Sequence, residues 1–201
     1  MRSSRRAMEP WARGPGCRGS EGFTLLEAII TLTILAILLT LTVPGLMSVM
    51  DRRRLLGDGE KAVAFLQRAR YQSIQRNRQL RVDLDTGSGT LFFDVDGDVL
   101  LGTTERQVGV LELSRGVLAG GPPGDADAIS GFSLLDGRRV AVFRPDGSVL
   151  DGGGLRLRDV EADDYLEVSV IEPATGLIRL RKWDGSAWRE QGEGGESWNW
   201  N

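Results

Sequence analysis

Apolar and polar positions divide the chain into three regimes. From Phe23 to Val43 the positions are almost continuously apolar, and Glu27 is the one ionisable side chain. A helix of that length reaches about 31 Å, close to the hydrocarbon thickness of a bilayer. The pattern predicts a membrane-spanning helical half over residues 23–50. A secretory signal has a shorter apolar core, about 7–15 residues, closed by a small-residue cleavage site, and Thr42-Val43-Pro44-Gly45-Leu46-Met47-Ser48 supplies no such site. Pro44 has no N–H to give the carbonyl of Thr40, and Gly45 adds backbone entropy, so a kink or local melting is expected at Pro44 and Gly45.

The second regime has a helical period. Leu55, Gly59, Ala62, Leu66, Ala69 and Ser73 fall on one stripe, flanked by Leu56, Val63 and Ile74, while Glu60, Lys61, Gln67, Arg68 and Gln75 point elsewhere. This predicts an amphipathic half-helix over residues 51–78, ending near Asn77, with its stripe against the protein's own soluble domain. Gly57-Asp58-Gly59 weakens it by roughly 1 kcal/mol per Gly relative to Ala.

From Leu80 the period is two. Leu80, Val82 and Leu84 alternate with Arg81, Asp83 and Asp85, and Thr86-Gly87-Ser88-Gly89 turns the chain into Leu91-Phe92-Phe93, a hairpin. Further strands are predicted at 108–113, 132–135, 140–144, 155–157, 166–171 and 177–183, the last two joined through Glu172-Pro173-Ala174-Thr175-Gly176. Gly120 to Asp127 reads as an exposed loop and Gly152-Gly153-Gly154 as a turn. Residues 190–201 are Gly- and Glu-rich and read as a flexible tail after a β domain over 79–189. One long helix followed by short strands predicts an α+β fold, the amphipathic half-helix packed on an antiparallel β-sheet or sandwich.

Composition narrows the chemistry. With 201 residues there is room for one domain of ordinary size beside a membrane helix. His is absent, and the one cysteine, Cys17, precedes the apolar run. Residues 1–22 carry Arg2, Arg5, Arg6, Arg13 and Arg18 against Glu9 and Glu21 and read as a basic leader. Subtracting its +3 from the whole-chain −3 leaves the remainder at −6, which weighs against general nucleic-acid binding. Gly14-Pro15-Gly16-Cys17-Arg18-Gly19 is formally GxGxxG, but no strand precedes it and no helix opens from its last Gly, so a nucleotide site is discarded.

The order Gly22-Phe23-Thr24-Leu25-Leu26-Glu27 at the head of an apolar helix resembles the processing site of type IV pilins and type II secretion pseudopilins. The resemblance implies that a membrane aspartyl prepilin peptidase cuts between Gly22 and Phe23 and N-methylates Phe23. It places the family's assembly glutamate on Glu27 and the proline that usually follows the apolar segment on Pro44. It further implies an inner-membrane, single-pass protein with a cytoplasmic leader and a periplasmic domain. Implied partners are other major and minor pilins, through helix packing, and an inner-membrane assembly platform. A looser likeness covers Phe143-Arg144-Pro145-Asp146-Gly147-Ser148, Leu155-Arg156-Leu157, Glu167-Val168-Ser169-Val170 and Gly176-Leu177-Ile178-Arg179-Leu180-Arg181, similar to H-type minor pseudopilins and their FimT-like relatives. The function implied is a minor pseudopilin of a secretion pseudopilus; the alternative is a FimT-like minor pilin of a DNA-uptake machine.

Two further constellations carry candidate chemistry. Asp94, Asp96, Asp98 and Glu105 hold the first, third, fifth and twelfth places of an EF-hand-like loop, but Val99 stands where the loop needs Gly, so a polar turn is preferred to a calcium site. Arg179, Arg181 and Lys182 beside Trp183, with Trp188 and Arg189 near, offer charge and stacking for single-stranded nucleic acid; the solvated face of a half-buried hairpin is the preferred reading. No nucleophile–base pair and no phosphate loop is present, so neither an enzyme nor a cofactor is expected.

Overall fold

The computed structural model describes residues 23–97, 100, 102–161, 163–192 and 198, without the side chains at 41–46, 48 and 107. The leader, Gly22 included, lies outside the described residues. The chain falls into two units, Met1–Val43 and Pro44–Asn201.

Helix α1, Leu25–Gln75, opens in the first unit. Thr24 is its cap: the Glu27 amide donates to Thr24 Oγ1 at 3.2 Å, which satisfies one of the amides a helix start leaves open. The polar side chains in the apolar run are dealt with internally. Thr31, Thr33 and Thr40 donate to the carbonyls of Glu27, Ile29 and Ile37 at 2.9, 2.8 and 2.7 Å, so these hydroxyls do not need water. The apolar side chains do not find such partners: Leu26, Ile29, Leu32, Leu35 and Leu38 are each at least half exposed.

Helix α1 is continuous through Pro44 and Gly45. Of the two outcomes expected there, the helix does not melt. Among the described residues no helix is long and apolar enough to cross a membrane. The described apolar side chains of this half run to Leu39 and resume at Met47, Val49 and Met50, all exposed. The span expected over 23–50 lies only in part within the described side chains.

In the second unit the predicted stripe is the buried one. Leu55, Ala62, Ala69 and Ser73 are fully buried and Leu66 nearly so, each large apolar side chain contributing about 1.5–3 kcal/mol. Phe65 joins them by stacking on Phe93, ring centroids 4.4 Å apart. The helix ends where expected: Asn77 takes the left-handed conformation at φ 48, and Arg78 N–H returns to the carbonyl of Ser73 at 3.2 Å, a Schellman-type closure.

The strands, all antiparallel, form two sheets. One is ordered β3-β2-β1-β7-β6, from Leu80–Asp85 (β1), Thr90–Asp94 (β2), Val110–Glu112 (β3), Ser133–Leu135 (β6) and Arg138–Phe143 (β7). The other is ordered β11-β10-β9-β8-β4, from Val117–Ala119 (β4), Gly153–Asp159 (β8), Tyr165–Glu172 (β9), Leu177–Trp183 (β10) and Trp188–Glu190 (β11), with Ile129–Gly131 (β5) also on β8. Leu80, Val82, Leu84, Leu91 and Phe93 of the first sheet share one core with Leu155, Leu157, Leu166, Val168 and Val170 of the second and with the α1 stripe. The expected α+β class is what forms.

Several local expectations are corrected. Val108 closes a short helix, Thr103–Val108 (α2), and the strand begins only at Val110. Gly153 and Gly154 are strand, not turn; Gly154 lies beneath the buried Glu167 carboxyl, where a Cβ would collide. In the loop from Gly120, residues 120–122 are buried and 123–127 exposed, and Arg156 reaches its exposed part, pairing with Asp125 at 2.7 Å and donating to the carbonyls of Asp125 and Asp127.

Candidate functional site

At the helix head, Phe23 and Thr24 precede the first helical turn and Phe23 is 71% exposed. Glu27 sits in the first turn, where a carboxylate is favoured by the helix dipole and its amide is held by Thr24. A chain starting at Phe23 would therefore begin one residue before its own cap.

The basic hairpin does not assemble one cationic surface. Arg179 and Arg181 face the same side of the second sheet as Ser169 and Glu167, and Lys182 faces the other, opposite Leu166. Arg181 is committed to the Glu167 carboxylate. Across four strands the register sets Arg156, Glu167, Arg181 and Glu190 side by side, an alternating row in which each charge has an opposite neighbour. Arg156 donates to Glu167 at 3.0 Å, and its guanidinium lies 5.6 Å from the Trp188 ring. Trp183 and Trp188 pack edge to face at 5.4 Å. Lys182, buried, sits 3.4 Å from Asp164, which also takes Arg52 of α1 at 3.3 Å. Arg179 is half exposed and 3.8 Å from Glu190. The nucleic-acid set thus separates into a neutralised row, a buried tie to the helix and one exposed arginine.

The acidic turn is also dispersed. Asp94 is buried, accepts from Gly97 N–H at 2.8 Å and lies 3.6 Å from Arg81. Glu105, buried, accepts from Gly102 N–H at 3.0 Å at the head of α2. Asp96 is exposed, and Asp98 lies outside the described residues. Among the described residues no group of three such side chains is arranged to hold a metal ion.

Sequence reasoning missed the ties that fasten α1 to the strands. Asp58, 1% exposed, accepts from Ser114 N–H at 2.5 Å and Ser114 Oγ at 2.9 Å and pairs with Lys61 at 2.8 Å. Beside it Gly59 lets the helix come so close to β10 and β9 that a Cβ there would meet Leu180 and Leu166 at 3.0 and 3.2 Å. The Gly-Asp-Gly interruption is therefore a docking point, its cost in helix propensity offset by burial and hydrogen bonds. One polar residue amid Gly on a buried stripe is the signal that points to it. Further on, Arg70 donates to the carbonyl of Gly147 and Ser73 to that of Arg144, both at 2.9 Å. Val149 N–H donates to the Pro173 carbonyl at 2.7 Å. The turns at 144–148 and 172–176, one from each sheet, meet beneath the end of the helix.

Two carboxylates are electrostatically distinct. Burial pushes Asp83 up to about 6, against the pull of Arg138 at 3.3 Å. Asp184 is held well below the usual range by amide and hydroxyl donors from Ala187 and Ser186 and by Arg189.

Residues 17–43 match the family described as "Prokaryotic N-terminal methylation motif". No curated protein sequence matches. Among solved structures, the minor pseudopilin EpsH from the type 2 secretion system of Vibrio cholerae is 14% identical, over 63% of this chain and 95% of that one, with a TM-score of 0.44. The type IV minor pilin FimU of Pseudomonas aeruginosa is 14% identical, over 70% and 96% of the two chains, with a TM-score of 0.45.

Proposed function

We propose that this chain is a minor pilin-like subunit, cut between Gly22 and Phe23, N-methylated on Phe23 and held in the inner membrane by the first half of α1 until it enters a filament. The observation that carries the reading is the methylation motif over residues 17–43, which runs into a capped helix whose described apolar side chains up to Leu39 are largely exposed. The β unit faces the periplasm, and assembly is the activity. The partners are a prepilin peptidase, other pilins or pseudopilins that pack along the helix, and the assembly platform. Glu27 is the residue that sets register: in a water-excluding bundle its carboxylate meets the amino terminus of a neighbouring subunit, an attraction that low dielectric strengthens.

A type II secretion pseudopilus is favoured over a DNA-uptake pilus. The mature charge of −6 and the separation of Arg179 and Arg181 from Lys182 across the sheet both count against a DNA-binding face. Coexpression with a prepilin peptidase followed by intact-mass measurement tests the reading. The expected product is shortened by residues 1–22 and carries one added methyl group, and Gly22→Val leaves the full-length chain. A cut elsewhere, or none in the wild type, would overturn it.

A further inference from the structure

Three contacts in series fix which end of the second sheet lies at which end of the helix in the second unit. Arg52 lies 3.3 Å from Asp164, which also takes Lys182 at 3.4 Å. Gly59 lies against Leu180 and Leu166, and Arg70 beside Gly147 and Gly176. β10 therefore runs back along α1, from Leu177 at the far end to Trp183 at the end where Met47, Val49 and Met50 stand exposed. Through Asp164, Lys182 is level with Arg52. One further strand residue, about 3.3 Å or roughly two residues of helix, sets Trp183 level with Met50.

Three turns share this end. The Asp159 amide donates to the Asp164 carbonyl at 3.0 Å, which leaves Val160, Glu161 and Asp163 at a tip. The Val160 amide donates to the carbonyl of Gly116 at 3.1 Å, which brings in the turn between β3 and β4. The β10–β11 turn closes with the Asp184 amide on the Ala187 carbonyl at 3.0 Å, and its carboxylate is taken by the amides of Ser186 and Ala187. On the rim so formed Val160 is 53% exposed, the Trp183–Trp188 pair is half-buried, and Arg53, Arg115 and Arg158 are exposed. Residues 51–54, 115, 158–164 and 182–189 hold seven cations against six carboxylates, a net +1, so the rest of the chain after Gly22 carries −7. The acidity that would hold the protein off an anionic surface is thus absent from this end.

We propose that this rim is a membrane-contact surface, an inference that rests on the first half of α1 lying in the bilayer. Val160 and the two indoles lie in the headgroup layer of the periplasmic leaflet, where amphipathic rings settle. Arg53, Arg115 and Arg158 meet the phosphates of anionic phospholipid, their long stems reaching across the rim. Lipid is the occupant because the helix changes at this same level from exposed Met47, Val49 and Met50 to Asp51 and Arg53, the change a bilayer surface demands. The β unit then rests on the membrane at a fixed height, and lifting the subunit into a filament breaks headgroup contacts as well as withdrawing the apolar helix.

The test uses the full chain in vesicles of phosphatidylethanolamine with phosphatidylglycerol, doped with phospholipid spin-labelled on its headgroup. In a Cys17→Ser background, an environment-sensitive fluorophore is placed at Val160→Cys, at Ala174→Cys in the turn at the opposite end, or at Ile34→Cys in the first half of α1. The expected result is severalfold stronger quenching at 160 than at 174. That excess should fall severalfold in vesicles of phosphatidylcholine alone, and likewise on adding Arg53→Glu and Arg115→Glu. Equal quenching at 160 and 174, or an excess indifferent to both changes, with the Ile34→Cys probe shielded in lipid, overturns the contact surface alone. An Ile34→Cys probe that reports water overturns the anchoring and the surface with it. Emission at 160 that shifts to the blue with protein density, without quenching, puts a second copy on the rim and overturns the lipid assignment.

Discussion

Leucines in the two halves of α1 meet opposite fates. Leu35 and Leu38 in the first half are 52 and 55% exposed, while Leu55 and Leu66 in the second are 0 and 2% exposed. The cause is composition together with arrangement, since charged residues such as Arg52, Asp58, Glu60, Lys61 and Arg68 interrupt the second half whereas Glu27 is the one ionisable residue from Phe23 to Val43. In the second half the apolar positions recur every three to four residues and leave a polar face for water, so one stripe satisfies them and the β unit supplies it. In the first half they run all the way round, and no single sheet covers such a helix. Its surface is a demand for an outside solvent, lipid or other helices, and that demand, more than any pocket, is what the molecule offers as function.

The largest effect expected from breaking this contrast comes from one truncation made at both ends. Leu66→Ala removes a buried side chain from the shared core and should cost about 2–5 kcal/mol of β-unit stability. Leu35→Ala, at a position without a core, should leave the melting midpoint of the same unit within about 0.5 kcal/mol of wild type. Circular-dichroism melts of both variants in the same detergent decide it. A comparable loss from Leu35→Ala would mean that the first half is part of the stability unit.

The contrast also marks what was legible in the sequence. Long periodic segments declared themselves: the stripe from Leu55 to Ser73, the β1–β2 hairpin and β10 are where the pattern puts them, because a period repeated over many residues outweighs local ambiguity. The three-residue strands β4, β5 and β11 carry no such pattern. They are strands because β8 and β10 offer them an edge, a tertiary cause that local composition does not encode. At the candidate sites, residue type was legible and facing was not. Arg179, Arg181 and Lys182 read as one basic run until the register placed Lys182 on the helix side, and Asp58 read as a helix weakness until Ser114 closed on it.

A smaller effect is expected from Asp83, which sharpens the contrast by testing a charge that the β unit buries. Its carboxyl is raised from the ordinary 3.8 to about 6, first by burial and against the pull of Arg138. The folded state therefore holds the proton more tightly than the unfolded chain. The cost of ionising Asp83 is fully present above about pH 6, fades as pH falls towards 4, and is absent below that. Asp83→Asn should stabilise the unit by about 1–3 kcal/mol at pH 7, with the gain shrinking to nothing near pH 4. Chemical denaturation at both pH values measures it. A gain that is independent of pH would place the effect in packing and not in ionisation.

The smallest effect on stability, and the most specific effect on function, is expected at Glu27. The residue stands in the exposed half, in the first turn of α1, and the bond that starts the helix uses its amide and not its carboxylate. Replacing the side chain keeps that bond, so Glu27→Val should leave the melting of the β unit unchanged and the cut after Gly22 intact. It removes a charge from an otherwise apolar run, which eases insertion into lipid by about 2.5–3.5 kcal/mol at mid-membrane and by less near the interface. The isolated subunit thus loses nothing, and a defect can arise only where a second subunit supplies the opposite charge. Crosslinking to other minor subunits should fall severalfold while processing and melting match wild type. Wild-type crosslinking would show that the apolar surface alone sets the stagger, and the demand for an outside partner would then rest on hydrophobic packing without electrostatic register.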